Sequence, residues 1–104
     1  MQAGLRGTSD RSILVLTSLA EGPKHGYALI RDIAAFAGVS LGAGTIYECL
    51  AKLEKSGLIE PLPEDDRRWP YRITPSGSSH LVDRLKESQR IARIGLDRLK
   101  LSPS

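Results

Sequence analysis

The sequence predicts a mainly α-helical chain with one small β-hairpin: three helices, the hairpin, then a long C-terminal helix. Three observations predict it. Three amphipathic stretches are each closed by a breaker, at Gly22-Pro23, Gly38 and Gly57. Two short runs of strand-forming residues follow, on either side of Pro63-Glu64-Asp65-Asp66-Arg67. Thr74-Pro75 then opens a segment whose apolar residues recur at intervals of three and four.

Taken in order, Ser9 or Asp10 is placed to cap a first helix whose apolar positions are Ile13, Leu14, Val15, Leu16, Leu19 and Ala20. The second helix spans His25 to Ala37, with Tyr27, Leu29, Ile30, Ile33, Ala34 and Ala37 at helical spacing; Tyr27 is read as packing inward. After the small-residue loop Gly42-Ala43-Gly44, a third helix runs from Thr45 to Ser56. Leu58 to Leu62 and Arg68 to Ile73 read as the two strands of the hairpin. Thr74 is the N-cap and Pro75 the first helical residue of the last helix, where a missing N–H costs nothing, and this helix continues to Lys100. Helix, helix, helix, hairpin, helix is the order of a winged helix-turn-helix with a C-terminal extension. The predicted division is a winged domain over 9–76 and a dimerisation helix over 77–101.

At 104 residues the chain suffices for one core and not for two. Its net charge of +3 and isoelectric point near 9.3 permit a polyanionic partner without requiring one. Placement says more than the total. Residues 1–83 hold nine Lys or Arg against ten Asp or Glu, a net of −1, and residues 84–104 hold six against two, a net of +4. Any affinity for DNA in the first part must therefore come from local basic clusters. Cys49 is the only cysteine, which excludes an intrachain disulfide and favours a reducing cytoplasm. The N-terminal stretch 1–7 has no long apolar run and no segment reaches eighteen consecutive apolar residues, so neither a signal peptide nor a membrane span is expected.

In the third helix Ile46, Leu50 and Leu53 fall at i, i+4 and i+7, one buried stripe at about 100° per residue. Glu48 and Lys55 point away from it, with Gly44, Thr45, Ala51 and Lys52 around them, leaving a small polar face that a major groove can accept. The same pattern on its own also describes an ordinary amphipathic helix. Arg67-Arg68 at the hairpin tip can reach a flanking minor groove or phosphate row. A basic pair is commonly no more than solvated surface, and Glu64, Asp65 and Asp66 partly offset its field. Tyr47, about 100° round from Ile46, has two open readings, a ring beside the core or a hydroxyl on a phosphate.

His25 is read as shaping a turn, and Cys49 as a small core residue at the edge of the stripe. His25, Cys49 and His80 are too few and too scattered for a metal site, and nothing resembles an activated nucleophile, a carboxylate pair or a phosphate-cradling loop. No metal, cofactor or enzymatic activity is expected. In the last helix Val82, Leu85, Gln89, Ala92, Leu96 and Leu99 form a coiled-coil-like seam, and Ile91, Ile94 and Leu101 add apolar surface beyond it.

Three strings, GPKHGYALIRDI, GTIYECLAKLEKSGLIE and RRWPYRITPSG, together make the sequence over residues 9–80 resemble PadR-type transcriptional regulators. It departs from their pattern at Ala43, where proline is frequent, and at Trp69-Pro70. The resemblance implies a recognition helix opened by Gly44-Thr45-Ile46-Tyr47, a C-terminal helix that pairs two chains, and repression as the sign of regulation. The expectation is thus a homodimer on a palindromic double-stranded DNA operator, contacted through Gly44, Thr45, Tyr47, Glu48, Lys52, Lys55, Arg67 and Arg68. Two other readings stay open: a winged-helix protein-interaction module without DNA, which the net charge of −1 over residues 1–83 favours, and a sensor with a small-molecule effector site between paired C-terminal helices.

Overall fold

A computed structural model describes residues 8–100. The stretch 1–7, read above for a leader sequence, and Leu101 lie outside the described residues. Helix α1 spans Thr8–Leu19, α2 Gly26–Ala37 and α3 Ala43–Lys55; strands β1 (Ile59–Pro61) and β2 (Tyr71–Ile73) precede α4, Pro75–Arg98. The predicted order holds in full.

One core joins these elements. Val15, Leu16 and Leu19 from α1 meet Leu29 and Ile33 from α2, and Ile46, Cys49, Leu50 and Leu53 from α3, closed by Ile59 and Leu81. The expected stripe of α3 is the buried one, with Cys49 inside it. A partly buried polar tie borders these apolar side chains: the buried Ser18 hydroxyl donates to the half-buried Asp32 at 2.5 Å, and the Lys24 ammonium donates to the Ser18 carbonyl at 2.5 Å. The tie links the α1–α2 connection to α2 and gives the buried Ser18 hydroxyl the partner it needs.

Several boundaries move for identifiable reasons. Helix α1 already includes Thr8, so Ser9 and Asp10 lie in its first turn and do not cap it. Helix α3 starts two residues before Thr45, with Gly42 as N-cap. The strands are shorter than their residue types suggest. Pro63 and Pro70 have no N–H to give to a ladder, and the chain between them turns on itself: Asp65 and Arg68 exchange backbone hydrogen bonds at 2.8 and 3.0 Å. At the tip Asp66 and Arg67 have φ of +55° and +64°, the backbone of a type I′ turn. The hairpin also gains a neighbour the sequence did not announce. Lys24 and Tyr71 exchange backbone hydrogen bonds at 3.1 and 2.9 Å, so β2 is paired on both edges at Tyr71.

Tyr27 overturns the expectation that it packs inward, being 64% exposed. It lies two residues, about 200°, from Leu29, on the far side of α2 from the core; Arg31 sits 5.9 Å over its ring instead. Ala34 and Ala37 are exposed as well, which narrows the buried face of α2 to Gly26, Leu29 and Ile33.

Helix α4 begins as predicted: Thr74 accepts a hydrogen bond from the Gly77 N–H at 3.0 Å, and Pro75 takes the first helical position. Its first turns pack on α1 and β2. Gly77 and Leu81 are its only buried residues among those described; the helix is about 36 Å long at ~1.5 Å per residue, and beyond Arg84 every residue of it is exposed. No described helix is long and apolar enough to cross a membrane.

Candidate nucleic-acid interface

The exposed side of α3 carries Gly44, Glu48, Ala51 and Lys55, opposite Ile46, Leu50 and Leu53. Gly42 supplies no side-chain cap, so the first-turn N–H groups stay open to an external acceptor. Thr45, Glu48 and Lys52 border one shallow depression together with Arg11 of α1 and the edge of Cys49. Arg11 was missed in the sequence, because its nearness to α3 follows from how α1 crosses that helix and leaves no trace in local spacing. Lys55 belongs elsewhere. With Lys52, Ser56, His80 and Arg84 it lines a wider basic cleft against α4. The four polar residues of α3 thus spread over two adjoining surfaces, linked by Lys52.

On the other flank stands the wing. Arg67 occupies the turn apex and Arg68 the returning arm, where its guanidinium lies 3.2 Å from His25 Nε2. His25 is also the N-cap of α2: its Nδ1 accepts from the Ala28 N–H at 3.3 Å. A neutral imidazole has one acceptor nitrogen, so when Nδ1 caps the helix Nε2 bears the hydrogen and cannot accept from Arg68. In that tautomer the Arg68 guanidinium has no hydrogen bond to His25. Among the described residues, neither Arg67 nor Arg68 forms an ion pair with Glu64, Asp65 or Asp66. The acidic run stays beside the pair without neutralising it by contact.

Tyr47 joins the two flanks. It is 51% exposed, with its ring across Gly26 at the start of α2 and not in the core. Tyr27, Tyr47, Trp69, His25, Arg67 and Arg68 border one groove between α2 and the wing tip. His25 and Trp69 in this groove were not singled out as site residues; an exposed tryptophan beside a basic pair was the available signal.

Cys49 is the buried member of the α3 flank. Burial pushes its thiol above the ordinary range, against a contact to Ser12 Oγ at 4.0 Å and the charges of Arg11 and Lys52, which pull the other way. Tyr71, beneath the wing, is raised by burial and then by the nearby Glu54 and Tyr47. Groups of three or more metal-ligating side chains do not occur among the described residues.

The family model of the transcriptional regulator PadR-like family matches residues 15–83, the whole span from the core of α1 to the start of α4. The chain belongs to the PadR-like family of transcriptional regulators. A transcriptional regulator from Clostridium thermocellum superposes on this PadR-like chain with a TM-score of 0.76 at 26% identity, over 90% of this chain and 93% of that one. A PadR family transcriptional regulator from Eggerthella lenta does so with a TM-score of 0.70 at 28% identity, over 91% and 85%. A PadR family regulator from Clostridium difficile, at 22% identity, shares the fold with a TM-score of 0.76 over 85% and 95%. In sequence the PadR-like chain is 42% identical over 87 residues to an uncharacterized 37.1 kDa protein in transposon TN4556 of Streptomyces fradiae. That match takes in 84% of this chain and only 24% of the relative, so the chain spans about a quarter of that protein's length.

Proposed function

We propose that the chain is a DNA-binding transcriptional repressor that occupies a palindromic operator as a homodimer. The observation that carries this reading is the continuous exposed surface formed by the first half of α3 and the wing, with Tyr47 between them and Arg67 and Arg68 outside any ion pair. Gly44 and the open first turn of α3 admit a close phosphate. Glu48 can accept from cytosine N4, and Thr45 can set its methyl or hydroxyl against a base edge. Lys52 and Lys55 serve as phosphate contacts, and the wing arginines as contacts to the flanking minor groove or backbone.

Pairing rests on α4. Val82, Leu85, Leu96 and Leu99 are 46, 43, 46 and 68% exposed in the single chain, and Gln89 and Ala92 continue the same stripe. These four large apolar side chains, with the exposed Ile91 and Ile94 beyond the stripe, need a partner surface of comparable length. A second α4 at coiled-coil spacing supplies one, which assigns 9–76 to DNA and 77–101 to assembly. The repressive sign follows from the family resemblance, and a DNA partner places the work in a reducing cytoplasm, in keeping with the unpaired Cys49. Selection of genomic fragments by the purified chain tests the reading. The expected enrichment is a palindrome whose half-sites lie about one helical turn, ~10 bp, or a multiple of it apart. Absence of any enriched sequence, together with no duplex binding at low salt, contradicts it and favours the protein-interaction module.

A further inference from the structure

Like charges that share one depression raise each other's energy unless an opposite charge sits among them. The cleft where the end of α3 meets α1 and α4 gathers Lys52 and Lys55 from α3 with His80 and Arg84 from α4. Ser12 of α1 and Ser56 add hydroxyls, and no carboxylate borders it. Arg84 has Glu87 3.5 Å from its Nε, one turn along the same exposed helix. Among the described residues Lys52 and Lys55 form no ion pair, and the His80 ring forms no hydrogen bond. The two lysines alone are accounted for by the carbonyl end of α3, since the last turn of a helix favours cations. His80 and Arg84 have no such reason, because they stand on another helix, one turn apart, and border the same cleft. Its volume, about 460 Å³, falls within the range of small-molecule sites, ~300–1,000 Å³.

We infer that this cleft is a binding site for a small phosphorylated molecule, whose occupation weakens the hold of α3 on DNA. The charge of the border selects an anion. The placement of the donors selects a phosphate over a carboxylate. They stand on three separate elements, and a phosphate group presents acceptor oxygens in several directions where a carboxylate presents two in one plane. A phosphate monoester also carries close to two negative charges at neutral pH, which matches the excess of cations here. Leu58 gives the apolar body of the molecule a surface to rest on. Pairing of α4 leaves the cleft open, because His80 and Arg84 each lie two residues, about 200°, from Val82 and so face away from the seam. The link to DNA is Lys52, which borders both this cleft and the depression with Thr45 and Glu48. A ligand that engages Lys52 and Lys55 takes two phosphate contacts from the duplex, and by linkage the duplex weakens the ligand by the same factor. That coupling rests on the DNA-binding reading above; the binding itself does not.

The chain has two histidines, His80 in this cleft and His25 in the groove beside the wing, so their ring resonances report two separate surfaces. The test titrates the full chain with inorganic pyrophosphate, against sodium chloride at equal ionic strength, and follows both resonances by NMR. The expected result is a saturable shift of the His80 ring, complete below about 1 mM and so tighter than isolated surface ion pairs provide, that is lost in Arg84→Gln. Arg84 is outside the proposed DNA contacts, so the same variant should bind a labelled duplex as the native chain does. Saturating pyrophosphate should weaken duplex binding by the native chain about fivefold and leave that of Arg84→Gln unchanged. A His80 resonance that follows ionic strength alone, or that shifts as fully in Arg84→Gln, overturns the assignment. If Arg84→Gln loses duplex affinity while its pyrophosphate response stays intact, the cleft is part of the DNA surface and the assignment is overturned as well. Duplex binding that pyrophosphate leaves unchanged overturns the coupling. If the His80 shift saturates while no duplex binds, the DNA-binding reading has failed and the site stands without its coupling.

Discussion

Tyr47 lies directly across Gly26, so close that a Cβ at residue 26 would stand 2.6 Å from the tyrosine oxygen and 2.7 Å from Cζ. The glycine is there to admit a ring from the next helix, not to supply an unusual backbone angle. A second glycine is enclosed differently: a Cβ on Gly77 would run into the Leu58 carbonyl oxygen and come within 2.8 Å of Ile73 Cγ1. These two contacts give opposite expectations for the same substitution.

With Gly26→Ala the obstacle is the far end of one side chain, which swings aside. Stability should change by less than ~1 kcal/mol, while DNA affinity falls because Tyr47 is displaced from the junction of α3 and the wing. With Gly77→Ala the obstacle is backbone at the start of the hairpin. Overpacking of that kind should cost about 3 kcal/mol, a fall in Tm of roughly 10 °C or more. Thermal unfolding of both variants, with duplex titration of the first, separates the two roles.

The wing tip should trade stability against binding. Arg67 holds φ of +64°, a left-handed conformation that costs a residue with a Cβ about 1 kcal/mol and glycine almost nothing. Arg67→Gly is therefore expected to raise Tm by a few degrees and to weaken duplex binding at every sequence, with a shallower dependence on salt. A variant that loses stability would show that the arginine side chain supports the turn.

Burial of Cys49 has a consequence at alkaline pH. Its thiol is raised chiefly by desolvation, so the folded state holds the proton more tightly than the unfolded chain does. The stabilising contribution is whole below the ordinary thiol value of about 8.5 and is lost as pH climbs through the raised one. Denaturation midpoints should fall on the alkaline side, less so for Cys49→Ala, and alkylation of the native chain at neutral pH should be slow until the chain unfolds.

Pairing through α4 is open to a direct change. Leu85→Asp with Leu96→Asp places two charges in the seam while the wing and α3 stay untouched. Sedimentation should then give monomers, and operator binding should weaken sharply, because the second half-site is no longer engaged intramolecularly. A double variant that stays dimeric would move the interface off the seam.

The sequence carried the fold because its signals here are local. Thr74-Pro75, Gly38 and the Ile46–Leu50–Leu53 stripe each state their element within a few residues, and the element order follows. What stayed hidden depends on contacts between elements. Tyr27 read as core because α2 is apolar on more than one side, and only the position of α1 and α3 decides which side is buried. The backbone pairing of Lys24 with Tyr71, the nearness of Arg11 to Thr45 and Glu48, and the groove that gathers Tyr27, Tyr47 and Trp69 all join residues far apart in the chain. The hairpin ends were displaced by Pro63 and Pro70, whose missing N–H groups outweigh the strand preference of their neighbours.

The central claim is that α3 and the wing bind duplex DNA, α3 reading bases and the wing holding the backbone. Fluorescence anisotropy of the full chain on a selected fragment and on a random duplex, over a range of salt, measures it most directly. Affinity should fall steeply as salt rises. Arg67→Ala with Arg68→Ala should weaken both duplexes alike and flatten the salt dependence by about two phosphate contacts, whereas Glu48→Ala should narrow the gap between the selected and random duplexes. Binding that ignores salt, or a double wing variant and a Glu48 variant that both bind as the native chain does, would contradict the account.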